Sequence, residues 1–87
     1  MFIQTEDTPN PNTMKFIPGV PVLEIGTADF CDKLQAKKSN LASLIFTIDD
    51  VKRVFFSTDF ISVSKSDESN WEVLKPLILT KIMGSWC

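Results

Sequence analysis

Two strand-like runs near the start of this 87-residue chain meet at the stretch Asp7-Thr8-Pro9-Asn10-Pro11-Asn12-Thr13-Met14-Lys15-Phe16. Thr8 and Asn10 each precede a proline, which disfavours helical backbone angles, and Pro9 and Pro11 hold φ near about −65° and carry no N–H donor. Asparagine suits turn geometry because its amide can hydrogen-bond the local backbone. The stretch therefore predicts a rigid turn, which we call the Pro-Asn corner (residues 8–13).

The corner has two interpretations. It is either a stiff connection between strands or a loop that is ordered before a partner arrives and presents amides and hydroxyls for recognition. Under the second interpretation, alanine at Asn10 and Asn12 is expected to weaken binding while changing the melting temperature little. Local geometry leaves both interpretations open.

Strand patterns surround the corner. Residues 2–5 and 13–17 read as the two strands beside it, and Pro18-Gly19 ends the second. Residues 20–25 predict a third strand, placed at a sheet edge by Pro21. The strongest pattern is a hairpin of residues 51–57 and 60–65, in which β-branched and aromatic residues dominate and Thr58-Asp59 makes the turn.

Helical patterns occupy the rest of the chain. Residues 29–34 predict one helical turn, and a short helix follows Ser39 or Asn40, either of which can cap it. Its apolar face consists of Leu41, Leu44 and Ile45.

A C-terminal helix is predicted by the capping-box spacing of Ser69 and Glu72. Pro76 predicts a kink, or a helix that begins near Lys75, because an interior proline costs about 3 kcal/mol. The apolar stripe of this helix consists of Trp71, Leu74, Ile78 and Ile82, joined by Leu77 and Met83. The patterns together predict a single α+β domain in which helices pack on one face of a small antiparallel sheet.

Composition argues against several functions. The net charge is −2 and the pI is about 4.9, so the chain lacks the positive charge that nonspecific phosphate binding requires. No apolar run approaches the roughly 20 residues that cross a bilayer. Histidine is absent, which removes the usual general base and the commonest neutral metal ligand. We therefore expect no enzyme, no nucleic-acid partner and no membrane partner.

Two cysteines, Cys31 and Cys87, lie far apart in the sequence. A site made of thiolates normally needs four ligands, often in close spacings such as Cys-x-x-Cys. Without a secretion signal there is little reason to expect a disulfide, so we expect two free thiols and no metal site.

Three motifs follow one another along the chain. They are Thr8-Pro9-Asn10-Pro11-Asn12-Thr13-Met14-Lys15-Phe16 with Pro18-Gly19, then Val54-Phe55-Phe56 with Asp59-Phe60-Ile61-x-Val63-x-Lys65, then Trp71 with Leu74-Lys75-Pro76 and Ile82-Met83. Together they closely resemble the N-terminal domain of Nfu-type iron-sulfur cluster scaffold proteins, over nearly the whole chain. Asn40 stands where a proline is common in that family.

The resemblance implies a small α+β domain that takes part in assembly of iron-sulfur clusters or their delivery to apoproteins. In the family, a separate C-terminal domain with a Cys-x-x-Cys motif holds the cluster, with two copies meeting in a dimer. Residues 1–87 correspond to the N-terminal type alone, so iron binding is a family property and we expect no cofactor in this chain. Neither Cys31 nor Cys87 matches a cluster-ligand position.

Three functions are compatible with these observations. The chain is a noncatalytic accessory domain of a cluster scaffold or carrier, or a stand-alone module that docks to the assembly machinery without holding a cluster. A thiol-transfer enzyme that uses Cys31 is the third, although no base is evident beside that cysteine. The first is favoured, with the corner and the hairpin presented to partners and with partner-binding residues at Thr8, Pro9, Asn10, Pro11, Asn12, Lys15 and Phe16.

The expected partners are iron-sulfur assembly proteins or apoprotein acceptors, bound by a monomer. The first six residues show neither a basic segment nor an apolar segment, so no signal or transit peptide is visible. We expect a bacterial cytoplasmic location, with the mitochondrial matrix, reached as a mature protein, as the alternative.

Overall fold

The computed structural model describes residues 3–19, 21–23 and 26–85, with the backbone alone at Ser85. Five strands form one antiparallel sheet in the order β1-β2-β5-β4-β3. The strands are β1 (Gln4–Asp7), β2 (Thr13–Ile17), β3 (Ala28–Phe30), β4 (Val51–Phe56) and β5 (Ile61–Lys65). The helices are α1 (Lys33–Ala36), α2 (Asn40–Ile45) and α3 (Trp71–Ser85). The α+β prediction is confirmed.

Two rows of side chains across the sheet make its buried face. The register aligns Met14, Val63, Val54 and Phe30 in one row, and Phe16, Ile61 and Phe56 in the next. All seven side chains are buried in one core with residues of α1, α2 and α3. Because neighbouring strand residues point to opposite faces, these side chains meet the helices on one face of the sheet, and in the described ranges no helix packs on the other.

The predicted hairpin and the strand after the corner are confirmed. β2 has the predicted bounds, and β4 and β5 each lie within one residue of theirs. β1 begins two residues later than predicted, and Phe2 lies outside the described residues. A bulge at Lys52 shifts the register of β4 against β5.

The third strand was predicted in the wrong place. Residues 21–23 are not in a strand, and residues 20, 24 and 25 lie outside the described part. The third strand is instead Ala28–Phe30, inside the segment predicted as a helical turn. Its three residues pair with β4. This pairing is a long-range contact, and a run of three residues is too short to predict it. The helical turn follows it, capped by Asp32, whose carboxylate accepts from Gln35 N at 2.8 Å.

The capping predictions are partly confirmed. Ser39 caps α2, with its hydroxyl accepting from Ala42 N at 3.4 Å. For α3, however, Asn70 takes the capping role that Ser69 was expected to have, since its side chain accepts from Glu72 N at 2.9 Å. The Ser69 hydroxyl lies 2.7 Å from that of Ser66 instead.

Pro76 lies within α3, which continues through it from Trp71 to Ser85. The expectation that the helix begins near Lys75 is therefore wrong. The carbonyl left without a donor is that of Glu72, and both Glu72 and Pro76 are on the exposed side, where solvent can satisfy it. Leu74, Ile78 and Ile82 are buried as predicted, but Leu77 and Met83 are 46% and 41% exposed.

Candidate interaction surface

The Pro-Asn corner is held in shape by its own side chains. Thr13 N donates to Asn10 O at 3.0 Å, which closes a turn. Asn12 N donates to the Asn10 side-chain oxygen at 2.9 Å. The Thr8 hydroxyl lies 2.8 Å from both Asn10 O and Thr13 O, and it accepts from Asn10 N at 3.2 Å. The corner is thus ordered without a partner, as the proline pattern predicts.

Asn12 ties the corner to the end of β5. Its backbone oxygen accepts from Lys65 N at 2.8 Å, and its side-chain oxygen accepts from Lys65 Nζ at 2.9 Å. The same amide group donates to the Asp67 carboxylate. All three contacts join residues more than fifty positions apart, so Asn12 is a structural link between the two hairpins.

Trp71, the first residue of α3, holds the corner from the helix side. Its indole N–H donates to Pro11 O at 2.9 Å, and its ring lies 6.4 Å from that of Phe16. Lys65 Nζ sits 5.7 Å from the centre of the Trp71 ring. The sequence pattern favoured a place for Trp71 on the apolar stripe of α3, in the core, over a role as an exposed contact residue. The indole N–H of a half-buried tryptophan usually needs an acceptor. This requirement was the signal that Trp71 could also hold the corner.

The seven predicted partner-binding residues fall into three groups. Pro9, Asn10 and Pro11 are exposed, and Thr8, Asn12 and Lys15 are half-buried. Phe16 is 0% exposed, so in this conformation it serves the core and offers no surface. Its position in the inward row of β2 explains the difference, because Lys15 takes the outward position beside it. Partner binding by the other six remains a prediction.

The uncovered sheet face continues from the corner through Lys15. Lys15 Nζ lies 4.7 Å from the centre of the Phe60 ring, and the Phe55 ring is 6.3 Å from Phe60. The register sets Lys15 beside Ser62 and Ser62 beside Phe55. We call Lys15, Phe55, Phe60 and Ser62 the outer sheet patch. The predicted partner-binding residues included neither phenylalanine, although the pair Phe55-Phe56 in one strand must place one ring on each face.

An ion pair borders this patch. Arg53 Nε donates to the Asp29 carboxylate at 2.9 Å, and a second guanidinium nitrogen contacts the other carboxylate oxygen. The hydrogen bond and positive charge of Arg53 hold the pKa of Asp29 below its usual value. Reciprocally, the Asp29 hydrogen bond and charge raise the pKa of Arg53. The pair fixes β3 to β4 on the outward face.

The donor atoms of the described residues do not fit an iron-sulfur cluster. Cys31 is exposed, and its Sγ lies 3.9 Å from Asp29 Oδ1. In the described ranges, no group of three or more cysteines, histidines or carboxylates comes together. Cys87 lies outside those ranges. The expectations that the chain holds no cluster and that both thiols are free are therefore still predictions.

A shallow depression of about 220 Å³ lies on the helix side of the molecule. It is lined by Lys33, Lys37, Ser43, Phe46 and Thr47. Lys33 is engaged with Asp49 at 3.5 Å, and the Thr47 hydroxyl donates to Leu44 O at 2.6 Å. The lining therefore presents hydroxyls and ammonium groups, two of which already have partners within the fold.

The comparisons with known proteins agree with the resemblance. The model of a family described as scaffold protein Nfu/NifU N terminal matches residues 3–86. The mitochondrial NFU1 iron-sulfur cluster scaffold homolog of Homo sapiens is 56% identical over 84 residues, which cover 95% of this chain and 33% of that protein. The mitochondrial NifU-like protein 5 of Arabidopsis thaliana is 53% identical over 83 residues, covering 95% and 30%.

Solved structures share the fold. The crystal structure of protein SAV1430 from Staphylococcus aureus has a TM-score of 0.79 at 28% identity and covers 94% of this chain and 99% of that one. The solution structure of a NifU-like protein from Saccharomyces cerevisiae has a TM-score of 0.84 at 24% identity, covering 95% and 76%, and supports the fold alone. The chain spans about a third of the length of the curated relatives it matches.

Proposed function

The chain belongs to the Nfu/NifU N-terminal scaffold family, and from this membership we propose that it is a noncatalytic accessory domain that aids iron-sulfur cluster assembly or delivery to apoproteins. The cluster is the cargo of this process. The domain's part is to bind an assembly protein or an apoprotein acceptor. The scaffold relatives support a place in iron-sulfur cluster assembly. The ordered corner and the outer sheet patch support a role in partner binding.

The observation that carries the proposal is the order of the corner in the free chain. Thr8, Asn10 and Asn12 satisfy one another, so the corner loses little conformational entropy when a partner binds. The exposed side chains of this ordered loop are Pro9, Asn10 and Pro11. The proline rings and the ordered backbone of the corner provide contact area. A rigid loop loses less conformational entropy on binding than a mobile one.

The outer sheet patch extends this surface. Lys15 lies on the strand that leaves the corner, and its ammonium group sits over Phe60. Two half-buried aromatic rings beside one cation provide an apolar centre with a positive border. We therefore assign partner binding to the corner and the outer sheet patch together, in place of the corner with Phe16.

The test is a titration of the isotope-labelled chain with a purified apo-form iron-sulfur acceptor, followed by amide NMR. Shifts are expected at the amides of Thr8, Asn10, Asn12, Lys15 and Phe60. Lys15→Glu is expected to weaken binding at least fivefold, because it reverses the border charge and removes the cation from Phe60. The matched control is Lys38→Glu, which makes the same charge change at an exposed position before α2. Equal losses in both variants would show a general charge effect and refute the surface.

Cluster binding is tested separately by anaerobic reconstitution of the chain with iron and sulfide. The expected result is no stoichiometric cluster absorbance in the wild type. Absorbance that is stoichiometric and is lost in Cys31→Ser would refute the proposal that the domain is only accessory. A titration with the acceptor gives an independent answer, so the two parts of the proposal can fail separately.

Among the described residues, no helix is both long and apolar enough to cross a membrane. The human and Arabidopsis relatives carry mitochondrial names. They support the matrix alternative for location, while the bacterial cytoplasm and the monomeric state remain predictions.

A further inference from the structure

β1 lies at one end of the sheet order. It pairs with β2 on one side, and among the described residues nothing bonds to its backbone on the other side. The strand runs from Gln4 to Asp7, which is roughly 13 Å. We call its outer side the β1 edge. A free edge of this kind is a place where a further strand can add to a sheet.

Backbone bonds beside the corner show which way the residues of β2 turn. Lys65 N donates to Asn12 O, so Asn12 turns its backbone groups toward β5. Neighbouring residues of an antiparallel strand turn theirs to opposite sides, so Thr13 should turn toward β1. It does, since Thr13 N donates to Asn10 O and Thr13 O accepts from the Thr8 hydroxyl.

The same alternation identifies the free backbone groups of β1. Lys15, two residues beyond Thr13, also turns toward β1, where its partner in the register is Glu6. Thr5 and Asp7 are the neighbours of Glu6, so they turn away from β2. The N–H and C=O groups of Thr5 and Asp7 therefore point outward at the β1 edge.

The β1 edge is acidic. Glu6 and Asp7 are both exposed, and neither forms an ion pair with any described residue. β1 itself contains no basic residue. The nearest base in the register is Lys15, which lies beside Glu6 one strand further in, with its ammonium group over Phe60. A strand added to β1 would therefore lie directly beside two carboxylates.

The two carboxylates lie on different faces of the sheet. Glu6 is opposite Lys15 and shares the outer face with it, whereas Asp7 is opposite Met14, whose side chain is in the core on the helix face. Successive residues of an added strand also point to opposite faces. Two successive basic residues would therefore place one cation beside each carboxylate.

We propose that the β1 edge binds an extended segment of a partner protein that carries Lys or Arg at two successive positions, opposite Glu6 and Asp7. Bonds to the free backbone groups contribute affinity, and the two cations select the segment. A second copy of this chain fits poorly, because two β1 strands paired edge to edge bring four carboxylates to one seam. The β1 edge shares no residue with the corner or the outer sheet patch, so the inference does not rest on the function proposed above.

Two synthetic peptides of about seven residues, long enough to pair with the whole of β1, test the proposal. They share alternating threonine and valine, and they differ only at two central positions, which are Lys-Lys in one peptide and Glu-Glu in the other. At low salt, the Lys peptide is expected to bind the chain about tenfold more tightly than the Glu peptide. Added salt should reduce the difference.

Amide hydrogen exchange distinguishes strand addition from attraction between charges alone. In the free chain, the amides of Thr5 and Asp7 should exchange faster than that of Glu6, whose N–H faces β2. Saturation with the Lys peptide should slow exchange at Thr5 and Asp7 at least tenfold and change Glu6 little. A peptide held only by its charges would not produce this alternation.

Matched variants test the charges. Glu6→Gln/Asp7→Asn keeps the shape of both side chains and removes both charges, so the preference for the Lys peptide should fall to about twofold or less. Asp49→Asn/Asp50→Asn makes the same change at two successive exposed acids before β4, and it should leave the tenfold preference in place.

A second pair of variants tests the backbone bonds. Thr5→Pro removes an N–H from the β1 edge without removing a bond to β2, and it should weaken the Lys peptide at least tenfold. Thr5→Val keeps the N–H and should leave the affinity unchanged. Dispersed amide spectra confirm that each variant is folded. If Thr5→Pro does not fold, exchange at Thr5 and Asp7 in the wild type decides the question.

Three outcomes would overturn the proposal. Unchanged exchange at Thr5 and Asp7 under saturating Lys peptide would show that no strand adds to this edge. Equal affinity of the wild type for both peptides would refute the selection of basic residues. Self-association of the free chain that slows exchange at Thr5 and Asp7 would identify a second copy as the occupant.

Discussion

Replacement of Asn12 by alanine is expected to destabilise the domain, contrary to the expectation from sequence that it changes stability little. Alanine removes the bond from Lys65 Nζ and the bond to the Asp67 carboxylate, while the backbone bond from Lys65 N remains. Both lost bonds include a charged group. Such bonds contribute about 1.5–3 kcal/mol each when well shielded, and less at the surface.

Because Asn12 is half-buried and Asp67 is exposed, we expect a combined loss of about 2 kcal/mol. In a domain of this size, that loss lowers the melting temperature by about 10 °C. Urea unfolding followed by circular dichroism measures it as a lower midpoint with an unchanged slope. Asn10→Ala is the control. It removes a single exposed bond, to Asn12 N, and should cost only about 0.5–1 kcal/mol.

A double-mutant cycle isolates the link between the hairpins. Lys65→Met removes the ammonium group and keeps an unbranched apolar stem near Trp71. The loss in the double variant Asn12→Ala/Lys65→Met should be smaller than the sum of the single losses by about 1 kcal/mol. If Asn12→Ala unfolds within about 0.5 kcal/mol of the wild type, or if the two losses add, the link is not structural and the reasoning fails.

Three further outcomes are expected. Phe16→Ala should cost about 3–5 kcal/mol because its ring is fully buried, and a cooperative transition of near wild-type midpoint would contradict its core role. Gly84→Ala should raise the unfolding free energy by about 0.5–1 kcal/mol, because alanine has the higher helix propensity and its Cβ would meet no atom within 4 Å. A lower stability would show that the added methyl group clashes with a neighbour. The folded pKa of Asp29 is depressed by Arg53, so its contribution is present above the unfolded pKa of about 3.9 and is lost as pH falls through the folded value. The wild type should therefore be more stable than Arg53→Gln at pH 7, and the difference in unfolding free energy should shrink in acid. A difference that grows in acid would contradict the depressed pKa of Asp29.

Local signals predicted much of the fold. The prolines of the corner, the alternation of Ile61 and Val63, and the capping position of Ser39 each act through residues within a few positions of one another. The packing of Leu74, Ile78 and Ile82 follows the helical period in the same way. Family membership could also be recognised from the motifs alone, because their order and residue types appear in the primary sequence.

The candidate surfaces could not be predicted from local signals alone. The three residues of β3 form a strand only because they pair with the edge of β4. Leu77 and Met83 fit the apolar period of α3 yet lie outside the core, since burial depends on what the rest of the chain places beside each position.

The rigid corner and the central hairpin follow from the amino-acid sequence, because they depend on backbone restriction and short-range periodicity. The family follows from the order and residue types of its motifs. The bonds of Asn12 to Lys65 and of Trp71 to Pro11 depend on the tertiary structure, and so does the division between buried Phe16 and the half-buried Lys15 and Phe60 on the outer face. The reason is distance along the chain. Partners more than fifty residues apart are chosen by strand register and helix docking, which no local pattern specifies.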